Sequence, residues 1–440
     1  MKSGTTTPSV SPLLHVPAIQ IDKPPDIIYF NNSGKTALPR SVQRAGELAV
    51  QRESQPWTTA VSHTEKIRSN FAQIIHASSE DIAIVPSTGF AMTMIAHNIL
   101  RELQVKVQCQ SKSLTFSSKK KVKVLLLQDE MSSEVYAWQE LTQEAEIEFI
   151  IVPHPTSSQG WTPLILQILQ EHDYNVGICC LPQVHWSDGS YIDLALIGKI
   201  CHLHDIKFVI DGTQSVGIMP LNVQTIQCDA MACSVHKWLL GPHGMSLVYI
   251  HSKYHETWLP LDQHERSRAV FTNEVYDAQE NNIAIGGYPT EFVKGARRCD
   301  SGGKKNPILE PMICEALRIV SSFDLNASQS FMKRITDRIL EKGQRLGLGV
   351  QPGPRCGHII GLRPISEEMV AYLTPETMVE VANRLKDKNI FLAVRCGAFR
   401  IAPYLNSTSE DVDRLMEAME ESVNRQHGTI RKLSTKIFVS

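Results

Sequence analysis

Nowhere does the sequence approach the ~20 consecutive apolar residues of a membrane-spanning helix. None of its ten cysteines forms a C-x-x-C pair, and neither sign of charge is in surplus. Each absence excludes a class. Without an apolar span, no membrane partner is expected. Cysteines scattered without zinc-type spacing or a dense framework imply free thiols in a reducing compartment, so a cytoplasmic protein is expected. Cys179 and Cys180, adjacent in an apolar run, read as core. Lys and Arg number 44 against 46 Asp and Glu, a net charge of -2. The longest basic run, Lys119 to Lys121 with Lys123, is short enough to be a solvated loop, so no nucleic-acid partner is expected. A G-x-G-x-x-G turn between an early strand and helix is missing as well, which sets aside a nicotinamide dinucleotide site; Gly347 and Gly349 come late and after a helix. His202 and His204, two apart beside Cys201, resemble a helix end more than a ligand set, and no metal is expected. Met1 to Pro25 is rich in Ser, Thr and Pro and lacks the apolar core of a secretory signal, so residues 1–26 read as a disordered tail.

What is present suits a globular enzyme. Hydrophobic residues make up 42% of the 440 and charged residues 20%, enough for two or three domains with cores of their own. Short runs rich in Val and Ile alternate with amphipathic segments, the pattern of an α/β fold with a parallel sheet covered by helices. Strands are expected at Ile82–Val85, Val122–Leu127, Ile147–Val152, Val176–Leu181, Phe208–Asp211, Ala230–Ser234 and Ser246–Ile250. Helices are expected at Pro39–Ser54, 89–104, 134–145, 162–172 and 193–204, with two more from Asn306 and from Ser328 to Leu346. Gln108–Lys121 reads as a polar surface insertion, and Leu259–Asn282 is long for a structureless loop. The remainder reads as strand, helix (Glu376–Lys388), strands at Phe391–Val394 and Phe399–Ala402, and helix (Asp411–Val423). The expected division is a large domain over 27–305, connecting helices over 306–349 and a small α+β domain over 350–440, with no internal repeat.

The chemistry is concentrated between Phe208 and Gly244. Asp211 ends an apolar strand, at the carboxyl edge where open α/β sheets bind ligands, and a buried carboxylate there requires a positive partner. Lys237 lies twenty-six residues later, after Ser234 and His236 and before the turn Gly241-Pro242-His243-Gly244. A desolvated lysine has the depressed pKa needed to form a Schiff base with an aldehyde. Taken singly, Asp211 could cap a turn and Lys237 could be a surface lysine. Together they match what pyridoxal phosphate requires: a lysine for the aldehyde and an acid that keeps the ring nitrogen protonated.

The stretch Asp211-Gly-Thr-Gln214…Ser234-Val-His236-Lys237 resembles the class V aminotransferases of pyridoxal phosphate fold type I, among them kynureninase, cysteine desulfurases and isopenicillin N epimerase-like proteins. The resemblance spans about residues 28–424. It implies a large, mostly parallel seven-stranded sheet domain with a small C-terminal α+β domain, pyridoxal 5'-phosphate as cofactor, an amino acid as substrate, and a homodimer. It makes Lys237 the Schiff-base lysine and Asp211 the partner of the ring nitrogen. It places Gln214 on the phenolic oxygen and Ser234 and His236 at the phosphate. Thr88 and Gly89, between a strand and a helix, match the phosphate loop, where backbone N–H groups face an anion. Met131 stands where relatives stack an aromatic group on the ring, a role a thioether can fill. Val184-His185-Trp186-Ser187-Asp188-Gly189 resembles the loop beside cofactor and substrate, which puts Ser187 on the cofactor and His185 near the substrate, although His185 and Trp186 could equally be packing residues. Val394-Arg395-Cys-Gly-Ala-Phe-Arg400-Ile-Ala-Pro403-Tyr404 resembles the carboxylate motif, with Arg400 as the bidentate clamp and Arg395, which an ordinary salt bridge would also explain, as a second candidate. Asn282–Tyr288 and Gly295–Asn306 resemble the region that reaches a neighbouring subunit.

Fold resemblance does not select the reaction. Relatives that form a persulfide carry a cysteine on a loop before the carboxylate arginine, and only four residues separate Arg395 from Arg400. That spacing leaves no room for such a loop and disfavours a persulfide-forming desulfurase; the closer likeness to kynureninase, isopenicillin N epimerase-like proteins and C–S lyases implies a lyase acting at the β-carbon, of C–S or kynureninase-like type. Transamination is the alternative, and a pseudoenzyme that keeps the fold is disfavoured because Lys237, Asp211 and Arg400 are all present.

Overall fold

The computed structural model describes residues 19–58, 62–110, 121–143, 146–171, 175–269, 290–303 and 306–437; of these, the side chains of 104–110, 143 and 425–437 lie outside the description. After a short strand β1 (Ile28–Tyr29) come helices α1 (Arg40–Glu53) and α2 (Thr64–Ile75). The chain then alternates: β2 (Ile82–Val85), α3 (Thr88–Gln110), β3 (Val122–Leu127), α4 (Ser132–Glu140), β4 (Ile147–Val152), α5 (Trp161–Gln170), β5 (Val176–Pro182), α6 (Leu194–Leu203), β6 (Lys207–Asp211), α7 (Val223–Ile226), β7 (Ala230–Ser234) and β8 (Ser246–Ile250). These strands form a seven-stranded sheet in the order β2-β8-β7-β6-β5-β3-β4. Every neighbouring pair is parallel except those that β8 makes with β2 and β7. Strands β6, β7 and β8 are buried along their whole length, because helices cover both faces, and so they read as near-continuous apolar runs. One core packs Ile67, Phe71, Ile197 and Trp238 on one face, and a second packs Met94, Ile95, Trp138 and Trp258 on the other.

The second layer is built from helices α8 (Leu309–Val320) and α9 (Leu325–Arg345), strands β9 (Leu348–Gly349) and β10 (Ile360–Pro364), helices α10 (Glu367–Tyr372) and α11 (Pro375–Asp387), strands β11 (Ile390–Phe391), β12 (Ala393–Arg395) and β13 (Ala398–Ile401), and helix α12 (Ser409–Ile437). Strands β12-β13-β10-β9 make an antiparallel sheet, while β11 pairs in parallel with β1. Ile28 and Phe30 therefore belong to the core formed by Leu362, Val381 and Phe399. The start of the expected large-domain segment 27–305 packs with the C-terminal elements, where β1 pairs with β11 and its apolar residues enter that core.

Several expected boundaries move. The expected strand Phe391–Val394 is divided at Leu392 between two partners. Helix α3 continues to Gln110, so the expected insertion begins as helix; residues 111–120 lie outside the described residues. The last helix extends past Val423 to Ile437. In the expected tail, Ile21 forms a backbone bridge with Pro39 and Asp22 accepts from Arg40, so part of 19–26 is tied to the start of α1; residues 1–18 lie outside the described residues. Helix α2 was not among the expected helices, although Ile67, Phe71, Ile74 and Ile75 recur at helical spacing. Its Arg68, fully buried, binds Asp300, whose other oxygen accepts from the Ile84 N–H at 2.8 Å, so this pair pins the 295–303 segment to β2.

Gly198 lets α6 lie directly on the backbone of α7, where a Cβ would overlap the Ile226 carbonyl. Gly198→Ala is expected to destabilise the fold by about 1–3 kcal/mol, as overpacking does, read as a lower denaturant midpoint at unchanged slope.

Candidate active site

Strands β2, β3, β5, β6 and β7 run in one direction, so their carboxyl ends share one edge of the sheet. A cavity of ≈ 360 Å³ opens there, lined by Thr88, Met131, Asp211, Ser234, His236 and Lys237 from the large sheet and by Arg395 and Arg400 from the small one. Its volume lies within the range of small-molecule sites.

Asp211 ends β6, and its Oδ1 accepts from the Thr213 N–H at 2.8 Å, an Asx turn that reverses the chain. Thr213 Oγ1 accepts from the Ser234 N–H at 3.2 Å, which ties the end of β6 to the end of β7. Burial pushes the Asp211 carboxyl up, opposed by its Thr213 hydrogen bonds and by the Lys237 charge. Lys237 lies on the loop that joins the antiparallel pair β7 and β8, closed by the Gly241 N–H donating to the Val235 carbonyl at 2.8 Å. Burial lowers its ammonium to about 8; Asp211 opposes that shift and Arg400 adds to it. His236 stacks on His243 with ring centres 3.8 Å apart, and burial followed by the His243 and Lys237 charges lowers it to about 3, so it is neutral. Ser234 Oγ is buried and has no hydrogen-bond partner among the described residues.

Thr88 opens α3 at the end of β2, its Oγ1 3.1 Å from Ser246 Oγ. Gly89 follows in the first helical turn, with no atom closer than 3.9 Å to where its Cβ would be, so the approach to those backbone N–H groups is open. Met131 precedes α4 and lines the wall. Arg400, on β13 opposite Gly361, is buried; Nη1 donates to the Trp186 carbonyl and Nη2 to Asn31 Oδ1, each at 3.2 Å, and Nε has no partner among the described residues. Burial and then the Arg395 charge lower it to about 10, still a cation at neutral pH. Arg395 is exposed on the rim.

Three expected contacts are not at the cavity wall. The Gln214 amide is engaged behind it, with Nε2 donating to the Ser33 carbonyl at 3.0 Å and Oε1 accepting from Trp238 Nε1 at 2.9 Å. Ser187 Oγ lies 2.9 Å from His185 Nδ1, and both residues are fully buried. His185 stacks on Trp161 at 5.7 Å, and its Nδ1 is 3.7 Å from Asp188. Burial works against its charge, but Asp188 and Glu130 outweigh that and raise it to about 9. It lies beside Asp188 behind the wall, and the wall position falls to its neighbour Trp186. Ser33 and Gly34 also line the cavity without having been anticipated; the signal was the turn cluster Asn31-Asn32-Ser33-Gly34 after an apolar strand. The segment Asn282–Tyr288 lies outside the described residues.

The family model described as aminotransferase class-V matches residues 28–282. An uncharacterized aminotransferase, YcbU, from Bacillus subtilis (strain 168) is 26% identical over 363 residues, 81% of this chain and 83% of that protein. A probable cysteine desulfurase from Pyrococcus abyssi is 22% identical over 53% of this chain, which spans just over half (56%) of that relative. Among solved structures, the cystine C–S lyase C-DES in complex with cysteine persulfide superposes with a TM-score of 0.72 at 16% identity, covering 90% of this chain and 98% of that one, a likeness of fold.

If the cofactor's aldehyde is to be taken up at Lys237, the neutral amine is required, and it predominates above the lowered pKa. Borohydride-trapped incorporation into the full-length chain is therefore expected to rise with pH and to be half-maximal near about 8. Lys237→Ala abolishes it, and Arg400→Gln moves the midpoint upward because one nearby positive charge is removed.

Proposed function

Because the chain belongs to the class V aminotransferase family, whose enzymes use pyridoxal 5'-phosphate, we propose that it is a β-carbon lyase that breaks the C–S bond of a cysteine-type amino acid. The site fits the cofactor on three observations. Asp211 is a buried acid at the cavity wall that needs a positive partner, Lys237 is a buried amine with lowered pKa, and Ser234 Oγ is an orphaned polar atom facing the same space. When bound, pyridoxal phosphate supplies an aldehyde and a ring that withdraws electrons from the substrate α-carbon.

In this reading Asp211 holds the ring nitrogen, Met131 covers a ring face, and Thr88, Gly89, Ser234 and His236 meet the phosphate. Arg400 binds the α-carboxylate, with Arg395 beside it. Lys237 Nζ would serve as the base that takes the substrate's α-proton. Gln214, Ser187 and His185 brace the wall from behind. Met131 has no proton to offer, so acid–base work at the substrate falls to Lys237. The reading also includes a homodimer, checked by light scattering, and a cytoplasmic location; no helix among the described residues is long and apolar enough to cross a membrane.

One observation favours release of sulfur over its capture. Cys396 and Gly397 form a two-residue turn between the paired residues Arg395 and Ala398, both with positive φ, 45° and 69°. This tight hairpin holds Cys396 in place, so the thiol has no loop on which to travel to a substrate sulfur. Burial also raises the thiol pKa, which keeps it a poor nucleophile.

A screen of cysteine, cystine and cysteine conjugates is expected to yield pyruvate, ammonia and a released sulfur species, with Cys396→Ser as active as the parent. Keto acid with accumulation of pyridoxamine phosphate would identify a transaminase instead. Arg400→Gln is expected to lose about 2–5 kcal/mol of transition-state binding, roughly 30-fold or more in kcat/KM, carried mainly by KM.

A further inference from the structure

Helix α4 turns Glu134, Ala137 and Trp138 inward. The first of these is an acid at a position that an apolar side chain would ordinarily fill, and it has no exposed surface at all. No N–H or O–H donor among the described residues reaches either of its oxygens. Its acidic neighbour is another carboxyl, that of Asp211, which lies close enough to act on it. Glu130, on the same side, adds a third acid, and Cys180 packs nearby.

Two carboxyl groups in contact inside a protein cannot both be ionised, so one proton is held between them. The surroundings decide where it sits. Asp211 accepts from the Thr213 N–H and faces the Lys237 ammonium, both of which stabilise its anion. Glu134 has neither a donor nor a cation, and burial together with Glu130 and Asp211 raises its pKa well above the usual range.

We propose that Glu134 is a neutral carboxylic acid that donates its proton as a hydrogen bond to Asp211, and so positions Asp211 and keeps it ionised at the cavity wall. Glu134 is thus a positioning residue, acting through Asp211. A hydrogen bond from an acid to a carboxylate is among the strong ones and favours the charged form of its acceptor. It counters the burial that drives Asp211 toward neutrality. Its consequence for chemistry rests on the cofactor reading above: an ionised Asp211 keeps a bound ring nitrogen protonated.

The test uses the full-length chain with and without pyridoxal phosphate. In the infrared spectrum of the cofactor-free protein at neutral pH, Glu134→Gln is expected to lose one protonated-carboxyl carbonyl band that Asp211→Asn retains. With cofactor labelled at the ring nitrogen with nitrogen-15, Glu134→Gln keeps the parent's protonated-nitrogen resonance, because its amide still donates to Asp211. Glu134→Met, which donates nothing, moves that resonance toward the unprotonated position. Absence of any lost band in Glu134→Gln, loss of the band in Asp211→Asn, or an unmoved resonance in Glu134→Met would each overturn the proposal. Should Glu134→Met fail to fold, the infrared comparison still decides. A parent that binds no pyridoxal phosphate would refute the cofactor reading while leaving the infrared result on the acid pair intact.

Discussion

Folding drives the carboxyl group of Asp211 out of water at the end of β6, and an ionised carboxylate left there without partners would cost several kcal/mol. The architecture around the cavity answers that constraint. Thr213 turns the chain so that its N–H meets the acid, and its hydroxyl ties that turn to Ser234 on the neighbouring strand. The loop between β7 and β8 brings Lys237 to face it. The same dry environment shifts the two groups in opposite senses, raising the acid and lowering the ammonium to about 8.

A second constraint joins the two sheets. Arg400 comes from β13, yet its partners Trp186 and Asn31 lie on the loop after β5 and on the turn after β1. The dock is secured from below by Asp188, which is buried. Its Oδ2 lies 3.2 Å from Arg363, and its backbone carbonyl accepts from the Gly361 N–H at 3.1 Å. Gly361 is required for this approach, since a Cβ would come within 2.7 Å of Asp188 Cβ. Contacts to Asp188 from His185 and Arg363 lower its pKa to about 2 despite burial, so it remains an anion across the physiological range. The guanidinium at the cavity thus depends on a backbone contact between β10 and a loop of the large sheet.

The seven strands of the large sheet were legible because both faces are buried, which leaves short, dense Val and Ile runs with polar punctuation. Asp211 and Lys237 were legible because each ends such a run. Gln214, Ser187 and His185 are not among the lining of the cavity, which their loop positions could not reveal: position in a loop shows that a residue is near a site, but not whether its side chain points into the space or supports the wall. His185 is fully buried against Trp161, a partner far away in sequence. The N-terminal strand β1 was not anticipated, because two residues carry too short a pattern to be read as a strand or to show which edge they pair with. Glu134 could have been noticed from its helical spacing with Ala137 and Trp138, but only contact with Asp211 shows what an inward acid is for.

Charge is divided across the cavity in a way that bears on what it accepts. One end offers neutral donors: the Ser234 hydroxyl, His236 held uncharged, and the first turn of α3 with Thr88 and Gly89. A helix N-terminus with hydroxyls around it suits a phosphate, since backbone N–H groups bind an anion without adding a formal charge to the cavity. The other end holds two guanidinium groups, Arg395 exposed on the rim and Arg400 buried, close enough for one to lower the pKa of the other. Their mutual repulsion is relieved when an anion enters between them or binds either one. In the proposed function an amino acid would bring its carboxylate to that end, with its amine toward Lys237. In that proposed function phosphate recognition would use none of the arginine charge, so both arginines would remain available to a substrate carboxylate without competing with the cofactor site.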